Sequence, residues 1–135
     1  MKQYYLDANI CIAYLRGRHI QLRDKINSCS AEFIKLPAIV KGELATGALK
    51  SVVPEREIQK VEQFCAAFDI VEFGKEDVWT YAKIRADLER KGIKIGNNDT
   101  LIAATVLSRG GVLVTNNVKE FSRVEGLRVE DWTQE

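Results

Sequence analysis

A chain of 135 residues, 46% apolar and 29% charged, is long enough to bury a core without staples and too apolar to be a disordered tail. Three cysteines, an odd number with no C-x-x-C pair, argue against a disulfide framework or a zinc knuckle and read as reduced thiols. A net charge of +1 does not advertise a nucleic-acid binder, and the first residues, interrupted by Asp7 and Asn9, fail as a signal peptide or a membrane span. One domain covering 1–135 and a cytoplasmic location are expected.

In chain order, residues 2–6 (KQYYL) have the aromatic and branched character of a buried strand, and DANICIAYLRG then changes to helical spacing at Ile10, Ala13 and Tyr14. His19 is expected on a loop. Residues 33–36 (FIKL) form a second short strand, and Pro37 suits the first turn of a helix that runs to about Leu49 and carries Glu43. The small residues Gly42, Ala45 and Gly47 suggest that this helix is closely packed. Ile58, Val61, Cys65 and Phe68 recur at three and four residues, which predicts an amphipathic helix from near Pro54, ending before the strand-like IVEF of 70–73. Another helix spans about 75–91 and stops at Gly92. After a loop to Gly96, Asn97 or Asn98 can cap an apolar helix that ends at Gly110 and Gly111. VLVT at 112–115, a helical turn at 117–121 and LRVEDW at 127–132 complete the chain.

Strands alternating with helices predict an α/β fold, a mostly parallel sheet with helices on both faces. Ligands of such sheets bind beyond the carboxyl ends of the strands, where Asp7 and Asn117 fall. Charge is segregated along the chain: residues 1–30 hold five basic and two acidic side chains, 83–94 again five and two, and 55–77 three and seven. Such runs build either a basic rim beside a cleft or ordinary solvated helix faces.

Four places carry candidate chemistry: Asp7 after the first strand, Glu43 within a helix, Asp99 in a helix's first turn, and Asn116–Asn117 after a strand. Carboxylates gathered in one cleft repel one another unless a cation neutralises them, and Asp and Glu without His or paired Cys favour Mg²⁺ or Mn²⁺ over zinc. Singly, each has a plainer reading. Asp7 can be a helix cap, Glu43 a solvent-facing side chain, Asp99 a complement to the helix dipole, and the asparagines turn residues.

The flanking sequences break that balance. LDANI at 6–10, GELATG at 42–47, IGNNDTLIAA at 95–104 and VTNNVKEFSRVEGLRVEDW at 114–132 resemble, in order and over the whole chain, the motifs of PIN-domain ribonucleases, most closely the VapC toxins of toxin–antitoxin pairs. The resemblance implies that Asp7, Glu43 and Asp99 are catalytic and bind one or two Mg²⁺ or Mn²⁺ ions. It departs at Asn117, where many members have aspartate, which opens the question of a second ion; Glu120, one turn on, is a further candidate ligand. Asn97 also stands where the family often has another residue. Asn9, Thr115 and Asn116 are expected to orient the ligands by hydrogen bonds.

What the resemblance further implies is an endoribonuclease that leaves a 5′-phosphate, with tRNA the favoured substrate and ribosomal RNA the second. It also implies a homodimer neutralised by a VapB-type antitoxin lying in a groove that leads to the acidic site. Arg16, Arg18, Arg23, Lys25, Lys83, Arg85, Lys91 and Lys94 are candidates to hold the RNA backbone. Ile58, Val61, Phe64 and Phe68 face either the antitoxin or the core, and Trp79 and Tyr81 are equally open. The rival readings are a structure-specific DNA nuclease of the same fold and an RNA-binding module with weak catalysis.

Overall fold

A computed structural model describes residues 2–134. Five strands, β1 (Tyr4–Leu6), β2 (Ile34–Pro37), β3 (Asp69–Val71), β4 (Val112–Val114) and β5 (Arg128–Glu130), form one sheet in the order β3-β2-β1-β4-β5. Every pairing is parallel. The connections are helical: α1 (Ala8–Leu15) and α2 (Ile20–Ser28) follow β1, α3 (Ala38–Leu49) and α4 (Pro54–Cys65) follow β2. Then α5 (Val78–Arg90) and α6 (Asn97–Ser108) follow β3, and α7 (Val118–Phe121) joins β4 to β5.

Parallel strands need long crossovers, and helices packed over both faces leave the central strands nowhere to meet water. Accordingly Leu6, Leu36, Leu113 and Val114 are wholly buried, together with Ile10 of α1, Val40 of α3 and Ile102, Ala103 and Val106 of α6. The edge strands are charged instead. Asp69 of β3 pairs with Lys35 at 2.8 Å, and β5 reads Arg128-Val129-Glu130, which protects both edges from adding another strand.

One glycine is fixed by crowding. A Cβ on Gly111, just before β4, would stand 2.3 Å from the Tyr5 ring and 3.2 Å from the Gln3 carbonyl oxygen, so only glycine lets β4 close on β1. The preceding Gly110 has φ 67°, the left-handed turn that stops α6.

Three sequence expectations need correction, and one helix was not read. Helix α2 had no reading at all, because only Leu22 and Ile26 of its QLRDKIN stretch are buried and two anchors give too little periodicity; His19 lies on the loop just before it, as expected. Pro37 closes β2 and caps α3 rather than lying within its first turn. Asn97 and Asn98 are inside α6, because Gly96 has the extended backbone of a cap and its carbonyl accepts both the N–H and the hydroxyl of Thr100, each at 2.9 Å. Gly42 and Gly47 are exposed, with nothing within 4 Å of a Cβ built on either, so these small residues leave α3 open on one side rather than packed.

Candidate active site

The chain lays down β1, β2 and β3 in one direction across the sheet, then returns to add β4 and β5 on the other side of β1. The reversal lies between β1 and β4, where the helices that follow neighbouring strands depart to opposite faces and leave a crevice at the carboxyl ends. Leu6 pairs with Val114, so the residues that follow them, Asp7 and Thr115, emerge side by side into that crevice.

Asp7 is 4% exposed and held at both oxygens. Oδ1 accepts the Ala8 N–H at 2.8 Å, the capping bond of α1, and Oδ2 accepts the Thr115 hydroxyl at 2.8 Å. Its role as a cap and its place in the acidic cluster therefore coexist. The Thr115 hydroxyl in turn accepts the Asn117 N–H at 3.0 Å, which fixes the turn out of β4. Burial raises the Asp7 pKa, opposed by its two hydrogen bonds and reinforced by the charge of Glu120.

Glu43 projects from α3. Its Oε1 is buried with no hydrogen-bond partner, which is costly for a carboxylate. Burial and the charge of Asp7 raise its pKa, and the side chain of Asn98 bonds the carboxylate and partly offsets them. Asp99, in the first turn of α6, is pushed up to about 7 by burial, by its hydrogen bond with Glu120 and by the charges of Asp7, Glu120 and Glu43. Glu120 is held on the ionised side by the Gly96 N–H at 3.0 Å and the Asn117 amide at 2.9 Å, against its own burial. Of the two, Asp99 is the one that resists ionisation.

Asp7, Glu43, Asp99 and Glu120, from the end of β1 and from α3, α6 and α7, therefore repel one another across one crevice. Among the described residues no three such groups already stand close enough to form a coordination shell. Asn117 spends its amide on Glu120, and Asn116 is exposed beyond β4. Asn9 is exposed on α1, and the Asp7 oxygens are taken by Ala8 and Thr115 instead. Sequence reasoning missed Asn98; its only signal was its place beside Asp99 in the IGNNDT loop.

The basic candidates scatter. Arg16 lines a groove with Glu43, and Lys94 lies on the loop before α6. Arg18 is exposed, Arg23 pairs with Asp24 at 3.5 Å, and Lys25 sits 5.5 Å from the centre of the Trp132 ring. On α5, Arg85 pairs with Glu89 and Lys91 with Asp87, at 2.8 and 2.9 Å, and Lys83 shares a shallow dip with Asp87 and Arg90. Val61 and Phe64 are core residues, Phe68 is half-buried and Ile58 and Trp79 are exposed.

The profile of the PIN domain matches residues 4–127. Over 132 residues the chain is 36% identical to the tRNA(fMet)-specific endonuclease VapC of Salmonella typhimurium, covering 98% of this chain and 99% of the relative. The ribonuclease VapC2 of Rickettsia felis is 37% identical over 136 residues, covering 96% and 97%. The chain belongs to the VapC branch of the PIN-domain family. The structure of DNA-bound VapBC from Salmonella typhimurium superposes on this PIN domain with a TM-score of 0.92 at 36% identity, covering 98% of this chain and 99% of the other.

Proposed function

We propose that this PIN domain is the toxin of a VapBC-type pair, an endoribonuclease that hydrolyses a phosphodiester bond with a divalent cation held by Asp7, Glu43 and Asp99. VapC membership supplies the ribonuclease and the toxin; the chain's own acidic cluster supports the metal. The observation that carries the metal is the unpartnered, buried Glu43 Oε1 facing a crevice where three carboxylates have raised pKa values. An all-oxygen donor set without His or Cys fits Mg²⁺ or Mn²⁺. When bound, such an ion lowers the pKa of a water and polarises the scissile phosphate.

The chain's own residues prepare that chemistry. Thr115 and the Ala8 N–H hold Asp7 in one orientation, Glu43 keeps an oxygen uncommitted, and burial beside Glu120 and the other acids makes Asp99 reluctant to ionise until a cation offsets their charge. A second ion would rest on Asp99 and Glu120, with the neutral Asn117 acting through Glu120.

The Salmonella relative is named for tRNA(fMet), which supports tRNA as the first substrate to test and a cytoplasmic site of action, with ribosomal RNA second. Its solved form is a VapBC complex, which supports a VapB-type antitoxin as partner. A groove of about 250 Å³ between α1, α3 and α4, lined by Ile12, Leu15, Leu44 and Val61, runs from Glu43 and offers an antitoxin segment an apolar path to the acids. No described helix is long and apolar enough to cross a membrane.

The test is cleavage of tRNA by the purified protein in Mn²⁺ or Mg²⁺, followed by end analysis. Cleavage leaving 5′-phosphates, abolished by EDTA and reduced at least ~100-fold by Asp7→Asn, is expected, given what loss of a metal ligand's support costs. Cleavage of branched DNA with tRNA left intact would establish the DNA-nuclease reading instead, and full RNA cleavage by Asp7→Asn would remove Asp7 from the chemistry.

A further inference from the structure

Beside the acidic crevice, a second cleft of about 200 Å³ opens between α5 and the loop that leads into α6. Tyr81 and Arg85, one helical turn apart on the same face of α5, form one side. Ile93 and Ile95 of the loop form the other. Asn97 lines this cleft and also the basin that holds Glu43 and Asp99, so the two spaces meet at a single side chain.

The walls are braced before anything enters. Arg85 donates to Glu89 at 2.8 Å and to the Tyr81 hydroxyl oxygen at 3.2 Å, and Phe73 meets the Tyr81 ring edge-on at 6.0 Å. The loop is tied from α7 and the turn after it: Arg123 donates to the Lys94 carbonyl at 2.8 Å, and the Gly96 N–H donates to Glu120 at 3.0 Å.

We propose that this cleft is a base-binding subsite that takes one unpaired nucleobase of the RNA, next to the bond that is cut. The proposal rests on the ribonuclease reading above. A planar ring, a planar guanidinium and branched aliphatic walls suit stacking of an unstacked base, and the Asn97 amide can both donate to and accept from its edge. The cleft is smaller than the roughly 300–1,000 Å³ of drug-sized sites, and it suits a single ring system. Asn97 and Asp99 are two residues apart on a helix, about 5–6 Å between Cα atoms, which places the base within a nucleotide of the phosphate under attack. That continuity favours RNA over a side chain of a protein partner.

The experiment uses the tRNA stem-loop in which the wild type is found to cut, with a single abasic residue stepped around its loop, cleaved by the wild type, Tyr81→Ala, Tyr81→Phe and Asn97→Ala. One position beside the cut is expected to lose about 10- to 100-fold in kcat/KM when its base is removed, the usual cost of a lost stacking contact. Tyr81→Ala and Asn97→Ala lose a comparable factor on the intact hairpin, and the two kinds of loss do not add. Tyr81→Phe, which keeps the ring, retains most of the rate. Asn97 is exposed, so its variant reports on the subsite even if Tyr81→Ala unfolds. Losses that add, or a loop with no base-sensitive position, assign the cleft to packing or to a protein partner and overturn the proposal. If no RNA is cleaved in a manner that Asp7→Asn abolishes, the ribonuclease reading itself fails and the subsite with it.

Discussion

Thr115 carries more of the site than its size suggests. Its hydroxyl donates to Asp7 and accepts from the Asn117 backbone, so one atom fixes both the first acidic residue and the turn that presents Glu120. Thr115→Val removes both bonds while keeping the shape. Because the threonine is wholly buried, this should cost about 1–3 kcal/mol of stability, measured by urea titration, and about 10- to 100-fold in RNA cleavage. Thr115→Ser should restore most of both. A Val variant with wild-type cleavage would show that Asp7 needs no orienting donor.

Between elements, two junctions decide whether the crevice exists. Where β4 meets β1, Gly111 touches the buried Tyr5 ring, two residues before Asp7. Gly111→Ala must displace that ring or part the strands, an overpacking cost of about 1–3 kcal/mol that chemical denaturation will read. At the far end of α6, Asp77 is wholly buried and pins that helix to the segment leading into α5. It accepts from the Ser108 hydroxyl, from Arg109 at 2.7 Å and from the Gly74 N–H at 2.7 Å, while Arg109 also reaches the Glu72 carbonyl at 3.1 Å. Burial alone would raise the Asp77 pKa, but these hydrogen bonds and the Arg109 charge outweigh it and hold the pKa below the usual 3.8. A carboxyl whose pKa is depressed by folding adds stability above its unfolded pKa, and that stability disappears as pH falls through the folded one. The wild type should therefore weaken below about pH 4. Asp77→Ala should be about 3 kcal/mol less stable at pH 7, the cost of stranding the partner of a buried pair, with a flatter acid limb in thermal melts across pH.

For the molecule as a whole, four carboxylates from four separate elements are forced together by the fold, and a cation that binds only the folded state must stabilise it. At a Mn²⁺ concentration of 100 times its Kd the gain is about 2.7 kcal/mol. At this chain length that is a rise in Tm of roughly 10 °C. Thermal melts should show the rise with Mn²⁺, its reversal by EDTA and its loss in Asp99→Asn. An unchanged Tm in saturating Mn²⁺ would count against the metal site.

The sequence by itself determined the alternation of strands and helices, the order of the acidic residues and their family motifs, because short buried strands, glycine stops and a proline helix start are written in local residue types. It could not reveal α2, whose two buried anchors make no period, or the cap at Gly96, which depends on how the turn before α6 is held. Taken alone, Asp7 read first as a cap, and only its motif made it a candidate ligand; the tertiary structure shows the capping bond and sets β4, and with it Thr115, against β1 beside the acidic cluster. The mutual repulsion of Asp99 and Glu120 and the cleft that Asn97 joins to the acids exist only once residues far apart in the chain meet at the reversal of the sheet. Electrostatic coupling and enclosed space depend on distance in three dimensions, and local sequence does not encode that distance.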